Sequence, residues 1–349
     1  MGHSLTKTIR KISRNDPTLG TSVDFYAEDV GDHRAWSLSE ALKQNKTLEW
    51  IDLQDNSFGE EGAKALSEAL QHNTTLQGMD LRYNDIGDEG AKALAEALKV
   101  NTTLQRIELE FNNIGHEGAK ALSEALKQNK VLKAMNLGGN LIGVEGVKAL
   151  SEALLKQNNI LQEMTLGGSQ MGDEGVQALS KALKRNDTAL QEIDLQENNI
   201  GHVLSKAMRV NSTLKKINLN GNEIGHEGAK ALSGALTYNK ALQRIHLIRT
   251  NIGHEGAKAL SEALTHNNVL QRIHLDGNNI GVEGVRALID AVKQWNGTLT
   301  MLELDGNLGF DNPIKEERDE LLRRNREGKG PKITKHPRQG KEDEPEKRA

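Results

Sequence analysis

The sequence predicts an α/β solenoid, an open stack of units that each contain one short strand and one helix. A pattern L-x-x-L-x-L-x-x-N recurs ten times, at steps of 28 or 29 residues with a single step of 24. A helical pattern follows each copy. Only 36% of the 349 residues are hydrophobic and 3% are aromatic, which suits many thin layers better than one thick core. Self-similarity at such a period is typical of repeat architectures.

The first half of each unit is the predicted strand. In "TLQRIELEFNNIG", Ile107 and Leu109 alternate with polar residues, which is the pattern of a half-buried strand. The ten units begin at Leu48, Leu76, Leu104, Leu132, Leu161, Leu190, Leu214, Leu242, Leu270 and Leu299. Each strand is followed by Asn, or by Ser169 or Thr250 in two units. We expect these Asn side chains to stack and to satisfy backbone groups that the turn buries.

The second half of each unit is the predicted helix. In "GHEGAKALSEALKQN", Ala119, Leu122, Ala125 and Leu126 fall on one face. A Glu lies in the first turn, where the helix dipole favours an anion, and the Gly after it leaves room for close packing. An Asn such as Asn129 ends each helix, where we expect a left-handed conformation. This position also accounts for the Asn-x-Ser/Thr sequons without glycosylation.

The ends of the chain depart from the repeat. A degenerate unit, "VDFYAEDVGDHRAWSLSEALKQN", has Val23 and Phe25 in its strand positions. We divide the chain into an N-terminal cap with this degenerate repeat (1–47), ten repeats (48–312), a C-terminal capping helix (313–327) and a disordered tail (328–349). The tail is polar and contains Pro and Gly, which favours disorder.

One unit, the short repeat at 190–213, lacks four residues. Its segment "NNIGHVLSKAMRVNSTL" matches "NNIGHEGAKALSEALKQNKVL" with "EGAK" missing. The loss corresponds to one helical turn, about 6 Å. It therefore falls on the helix side, where we expect a neutral notch or a local change of curvature rather than a docking site.

The motif "LxxLxLxxNxIGxEGAxALxxAL" resembles the leucine-rich repeats, and within them the ribonuclease-inhibitor-like subclass, over about residues 19–310. This subclass also occurs in NOD-like receptors, the Ran GTPase-activating protein and tropomodulin. The resemblance implies an α/β leucine-rich repeat solenoid, or horseshoe, with a parallel β-sheet on the concave side and α-helices on the convex side. No unit buries its faces alone, so the stack forms one continuous core.

The sequence contains no enzyme signature. The absence of Cys excludes disulfides, thiolate metal sites and thiol nucleophiles. We find no phosphate-binding loop, nucleophile elbow or zinc-protease motif. His116, His202, His226 and His254 recur at the helix start, but we interpret them as helix-start residues rather than as a metal row. We therefore expect no catalytic residue, no metal and no cofactor.

The concave face is the predicted binding surface. Because side chains alternate along a strand, positions three, five, seven and eight of each unit face the hollow. Units 1–3 are predicted to be acidic with three aromatics, units 4 and 5 to be bare glycine, and units 7–9 to be basic. The candidate residues are Trp50, Asp52, Asp80, Tyr83, Glu108, Phe111, Lys216, Arg244, His246, Arg249, Arg272 and His274.

These features favour a non-enzymatic scaffold that binds a protein partner through the concave face. The alternatives are a regulator of a small GTPase, as in the Ran GTPase-activating protein, and an actin-capping or architectural subunit. "ISRNDPTL" resembles the entry into the tropomodulin repeat domain. We expect a protein that is monomeric by itself, does not bind membranes and lies in the cytoplasm, with the nucleus as the alternative. The basic stretch 328–341 is the only candidate for nucleic-acid contact.

Overall fold

The computed structural model describes residues 2–156 and 158–331. Within these ranges, eleven strands form one parallel sheet in chain order, which confirms the predicted α/β solenoid. The strands are β1 (Ser22–Asp24), β2 (Trp50–Asp52), β3 (Gly78–Asp80), β4 (Arg106–Glu108), β5 (Ala134–Asn136), β6 (Glu163–Thr165), β7 (Glu192–Asp194), β8 (Lys216–Asn218), β9 (Arg244–His246), β10 (Arg272–His274) and β11 (Met301–Glu303).

Helices alternate with the strands and form the second layer. They are α1 (Gly2–Ser13), α2 (Gly31–Gln44), α3 (Glu60–His72), α4 (Gly87–Val100), α5 (His116–Gln128), α6 (Gly143–Lys156), α7 (Gly172–Leu183), α8 (Ser205–Val210), α9 (Gly225–Tyr238), α10 (Gly253–His266), α11 (Val282–Gln294) and α12 (Asn312–Arg326). Each helix packs on the next one in sequence. Among the described residues, no helix has both the length and the apolar character that crossing a membrane requires.

The core lies between the two layers and runs the length of the stack. Most strands bury their middle residue, such as Ile107 in β4, and leave the two flanking residues partly exposed. The predicted helix face, Ala119, Leu122, Ala125 and Leu126, is also buried. The exposed side of the sheet is the concave face, so each strand presents its first and third residues there.

The predicted Asn ladder after the strands is confirmed. The side-chain Oδ1 of Asn140 accepts hydrogen bonds from the N–H groups of Asn112 and Ile114, both at 3.0 Å. Its Nδ2 donates to the carbonyls of Leu109 at 2.8 Å and Leu137 at 2.9 Å. Each buried Asn thus joins its own turn to the preceding one, which satisfies backbone groups that water does not reach.

The left-handed conformation predicted for the helix-end Asn residues is wrong. Asn129 has φ −66° and ψ 133°, an extended conformation. Its Nδ2 donates to the Leu98 carbonyl at 2.7 Å, and its Oδ1 accepts from the N–H of Leu132 at 2.7 Å. These residues form a second buried ladder between units, and this bonding requires the amide side chain rather than a special backbone angle.

The first-turn glycines allow neighbouring helices to approach closely. A Cβ at Gly118 would lie 2.9 Å from the Cβ of Ala91 in α4, and one at Gly90 would lie 2.8 Å from the Cβ of Ala63 in α3. Any side chain at these positions would therefore push two helices apart.

Helix α12 covers the last strand. The side chains of Asn325, Arg326 and Arg318 donate to the carbonyls of Leu299, Thr300 and Leu302, at 2.7, 3.0 and 3.2 Å. The Thr300 carbonyl is equivalent to that of Gln271, which accepts from the N–H groups of Thr300 and Met301 in the next strand, so α12 occupies a position that a further strand would use. The disordered tail predicted from residue 328 lies outside the described residues from residue 332 onward.

The short unit affects the helix layer and not the sheet. Helix α8 has six residues, whereas the other helices of the stack have 12 to 15. On the sheet side, β7 and β8 remain in register, with Glu192 opposite Lys216. The missing turn therefore leaves the concave face continuous.

Candidate functional site

The strand register places the predicted residues in two parallel rows on the concave face. Residues at the first strand position form one row, in the order Trp50, Gly78, Arg106, Ala134, Glu163, Glu192, Lys216, Arg244, Arg272 and Met301. Residues at the third position form the other row, which includes Asp52, Asp80, Glu108, His246 and His274. Tyr83, Phe111 and Arg249 follow the strands in the turns.

Tyr83 and Phe111 form an exposed aromatic stack. Their ring centroids are 4.7 Å apart with an interplanar angle of 20°, and the residues are 48% and 44% exposed. Both have φ of 54°, because the turn after each strand passes through the left-handed region. The Phe111 ring lies where a Cβ on Gly139 would be, so the glycine of the next unit makes room for it. Gly139 therefore supports the Phe111 ring, and the outer surface of the stack faces solvent.

Trp50 lies apart from this stack. Its ring packs over Gly78, where a Cβ would overlap the ring atoms, and the residue is only partly exposed. Trp50 begins β2, whereas Tyr83 follows the end of β3 by three residues. At about 3.3 Å per residue, that offset separates the two aromatic positions by roughly 16 Å. The structure thus joins two of the three predicted aromatics and leaves the third at the other end of the strands.

The acidic end of the concave face contains its own counter-ions. The Arg82 guanidinium contacts the Asp80 carboxylate, with Nη2–Oδ2 at 2.6 Å. Arg106 bonds Glu108 at 3.2 Å and also reaches Glu163, past the small side chain of Ala134. The sequence did not predict these ion pairs, which reduce the net negative charge expected at this end of the concave face.

Asp52 has no ion-pair partner among the described residues. Burial raises the pKa of its carboxyl, and the neighbouring carboxylates of Asp80 and Asp24 add to this effect. The three aspartates lie opposite one another in β1, β2 and β3. This end of the face therefore remains acidic even though Arg82 neutralises Asp80.

The basic end has fewer counter-ions than bases. The Glu192 carboxylate forms ion pairs with Lys216 at 3.2 Å and with Arg244 at 2.7 Å. In the part of the chain that the structure describes, Arg249 and Arg272 have no ion pair. The predicted difference in charge between the two ends is thus weaker than the sequence suggested, but its sign is unchanged.

His246 and His274 stack on one another at this basic end. Their ring centroids are 4.4 Å apart with an interplanar angle of 16°. Burial, together with the neighbouring His274, Lys216, Arg244 and Arg272, lowers the pKa of His246 to about 4. His246 is therefore neutral at pH 7, and the positive charge of this region comes from the Lys and Arg side chains.

The bare glycine middle predicted for units 4 and 5 is mostly wrong. Phe111 covers Gly139, and a Cβ on Gly167 would lie 2.7 Å from Cγ of Gln196. Gly168 is the exception among these glycines, since a Cβ there would lie nearest to backbone atoms, those of Gly139 at 3.6 Å. The prediction failed because long side chains of adjacent units lean across the glycines.

The histidines of the helix starts do not converge. Within the described ranges, the one group of three side chains with suitable spacing for a metal is Asp276, Glu303 and Asp305. Arg318 contacts Glu303 at 3.2 Å and Lys315 contacts Asp305 at 3.0 Å, so cations of the protein already occupy this group. Nε2 of His116, His226 and His254 instead lies 3.2–3.3 Å from the carboxylate of the following Glu.

The sequence reasoning also missed a groove at the edge of the sheet where the strands begin. It has a volume of about 690 Å³ and spans six consecutive units. Thr47, Thr75, Thr103, Val131, Ile160 and Ala189 line it, one from each helix-to-strand loop. The recurring "N-x-T-L" of the first units is the signal that could have indicated it, since it places Thr at the same position of the first three loops.

Two family models match the chain, and both are leucine-rich. Residues 44–67, 72–95, 100–123, 128–151 and 157–180 match the leucine-rich repeat model. Residues 197–326 match the model described as the TMOD/LMOD leucine-rich domain. No curated protein sequence matches the chain significantly.

Two solved structures that are similar to this chain each cover 42% of it. One is actin-binding site 2 of leiomodin-1, with 23% identity over 42% of this chain and 88% of that chain, and a TM-score of 0.38. Another is the C-terminal domain of tropomodulin from Caenorhabditis elegans, with 19% identity over 42% of this chain and 89% of that chain, and a TM-score of 0.38.

The family matches cover most of the sequence between residues 44 and 326, and they fall on the strand–helix units that the structure contains. The chain is therefore a leucine-rich repeat protein, and its 28- to 29-residue units with one helix each are of the ribonuclease-inhibitor-like type.

Proposed function

We propose that this protein is a non-enzymatic interaction module that binds a protein partner through its concave face. The observation that carries the proposal is the stacked pair of Tyr83 and Phe111. Two large rings, 48% and 44% exposed, are held in one arrangement on a continuous sheet surface. Aromatic side chains dominate the binding energy of protein interfaces, and rings that are already ordered lose little entropy on binding.

The charges on either side of the stack give the partner an orientation. Asp24 and Asp52 lie at the β1–β2 end, and the unpaired Arg249 and Arg272 lie beyond β8. A partner with the opposite distribution of charge would associate faster in the correct register, since such complementarity acts mainly on association rate and specificity.

The test is quantitative affinity purification with the double variant Tyr83→Ala, Phe111→Ala. We expect the partner to be lost from the purified material, because truncation of an aromatic hot-spot residue costs roughly 2 kcal/mol or more of binding free energy. Trp36→Ala is the matched control, since Trp36 is 59% exposed but lies on α2 in the helix layer. The melting temperature of both variants should stay that of the wild type. Recovery of the same proteins at the same level with the double variant would refute the assignment.

Actin capping is the second candidate, and the match of residues 197–326 to the TMOD/LMOD leucine-rich domain favours it. Under this alternative the partner would be an actin filament end. Polymerisation of actin followed in the presence of the full chain distinguishes the candidates, because a capping protein slows elongation at substoichiometric amounts. Unchanged elongation would exclude capping and leave the concave-face proposal intact.

A further inference from the structure

The stack of Tyr83 and Phe111 belongs to a row of side chains that runs along the turns after the strands. The strand register continues into these turns, since the N–H groups of Asp55, Tyr83 and Phe111 donate to carbonyls of the next unit, each at 3.0 Å. All three residues have φ of 54–56°, so the same backbone shape presents each side chain. The row therefore contains, in order, Ala27, Asp55, Tyr83, Phe111 and Gly139.

The aromatic stack has one covered end and one open end. The Phe111 ring lies over Gly139. The two ring centroids are 4.7 Å apart, which is about the spacing of neighbouring strands, so the row holds one ring per unit. The next place in the row, beside Tyr83, has only the short side chain of Asp55, followed by the methyl group of Ala27. One face of the Tyr83 ring therefore has room for a third planar group at the same spacing.

The protein does not fill this place with a base of its own. Cation–π pairs occur elsewhere in the described chain, as with Arg209 over the Tyr238 ring at 4.3 Å, but none of the described bases lies over Tyr83. The carboxylate beside the open face is also free. Asp55 is exposed, and its side chain makes no hydrogen bond or ion pair with any described residue. A cation in this place would contact the ring face and the carboxylate together.

The surrounding charge also favours a cation. On the concave side of these units the bases are Arg82 and Arg106, and each pairs with a carboxylate of its own unit. Arg34, at the start of α2, donates to a backbone carbonyl of the turn before it, at 2.6 Å. Asp24 and Asp52, in the neighbouring row, have no ion pair within the described ranges. The surface next to the open face is thus negative even after its own bases are counted.

We propose that an arginine of the partner completes the stack, with its guanidinium on the free face of Tyr83 and paired with the Asp55 carboxylate. A guanidinium is planar, stacks on aromatic rings and binds a carboxylate through two hydrogen bonds. A lysine ammonium has no planar face to stack, so it fits the place less well. Asp24 and Asp52 then attract further bases of the same segment. This inference rests on the proposed function, because it names the chemistry that the concave face recognises.

The test is a titration of the full chain, followed by NMR of tyrosines that are labelled in the ring. The chain has three tyrosines, and the variants Tyr26→Phe and Tyr238→Phe assign their signals. The probe is an end-blocked heptapeptide in which three arginines alternate with four glycines. We expect it to shift the Tyr83 signals saturably, with a midpoint in the millimolar range. The signals of Tyr238, which already contacts Arg209, should not move.

Two further peptides test the chemistry of the ligand. The same peptide with lysines should bind several-fold more weakly, because it keeps the charge and loses the plane. The same peptide with citrullines should give no saturable shift, because it keeps the plane and loses the charge. A lysine peptide with the same midpoint as the arginine peptide would overturn the assignment of a guanidinium.

A pair of variants tests the role of Asp55. Asp55→Asn should raise the midpoint for the arginine peptide by roughly fivefold, because it removes a charge-assisted hydrogen bond. Asn tolerates the left-handed turn, so the fold should be kept. The matched control is Glu197→Gln, which removes an exposed acid at the same place of the row, with φ of 53°, five units away. It should leave the midpoint unchanged.

The absence of a saturable Tyr83 shift with the arginine peptide would overturn the inference, and so would equal midpoints in the two acid variants. The titration needs no natural partner, so it fails separately from the affinity purification. Loss of the partner from the variant Tyr83→Ala, Phe111→Ala without arginine-peptide binding would leave the concave-face proposal standing and remove the arginine.

Discussion

At the scale of single residues, three large side chains on the concave side rest on glycines of the next unit. Phe111 lies over Gly139, Trp50 over Gly78, and Cγ of Arg249 lies 3.2 Å from where a Cβ on Gly277 would be. In these three cases a bulky residue in one unit lies over a glycine of the following unit, whereas Tyr83 stacks on Phe111. The glycines that look like a bare patch in the sequence are instead the sites on which aromatic and charged side chains are held.

The environment of His246 predicts a stability loss in acid. Its pKa is about 4 in the folded chain, because of burial and the charges of His274, Lys216, Arg244 and Arg272, and about 6.5 when unfolded. Protons therefore bind the unfolded chain first, so this contribution to stability is complete above pH 6.5 and is lost as the pH falls towards 4. We expect the melting temperature to fall less between pH 7.5 and 4.5 in His246→Gln than in the wild type.

The matched control for this experiment is His202→Gln, which changes an exposed histidine before α8. The melting temperature of His202→Gln should change with pH as that of the wild type does, because this variant keeps His246. Equal pH dependence of His246→Gln and His202→Gln would show that His246 is not held neutral by the fold.

At the scale of elements, some helices are capped by the unit before them. Oδ1 of Asp88, in the first turn of α4, accepts from the N–H groups of Gly115 and Gly118 at the start of α5, both at 2.8 Å. Asp32 does the same for the start of α3. The first amides of a helix lack partners within it, so this carboxylate stabilises the helix and joins two units.

The cap predicts different stability losses for equivalent positions of two neighbouring units. Asp88→Ala should lower the free energy of unfolding by about 1 kcal/mol, the usual effect of losing an N-cap. His116 occupies the same repeat position in the next unit and caps no helix in the described structure, so His116→Ala should change stability far less. Urea unfolding of both variants measures the difference. Equal effects would mean that the inter-unit bonds of Asp88 add nothing.

At the scale of the whole molecule, the short unit divides the helix layer. Helix α8 covers only part of the space between α7 and α9, while the sheet continues through β7 and β8. In a solenoid, stability is nearly a sum of units and their interfaces, so the weakest interface opens first. We therefore expect the stack to open locally at α7 and α8.

Inserting Glu-Gly-Ala-Lys after His202 restores the usual length of the unit. Hydrogen exchange followed by mass spectrometry should show slower exchange of the amides of α7 after the insertion, while those of α5 serve as the internal control. Binding of the concave-face partner should not change, because the strands already lie in register. Loss of binding in a folded insertion variant would instead make the notch a docking site.

Much of the fold follows from local spacing. The constant distance from each leading Leu to its Asn predicted the strand rows, and the register confirms them from Trp50 to Met301. The angle predicted for Asn129 and its equivalents is wrong, because backbone propensity alone does not determine it. The side chain bonds the Leu98 carbonyl of the unit before, a partner 31 residues away, and local propensity contains no information about it.

The sequence by itself determined the repeat, the parallel rows and which residue types face the hollow, because a fixed period places equivalent positions side by side. Only the tertiary structure decided which of those residues meet. Arg106 bypasses Ala134 to reach Glu163, and Arg244 bypasses Lys216 to reach Glu192. Strands about 4.8 Å apart are closer than an arginine side chain is long, so each Arg has several possible partners. Packing and charge, summed over neighbouring units, select among them.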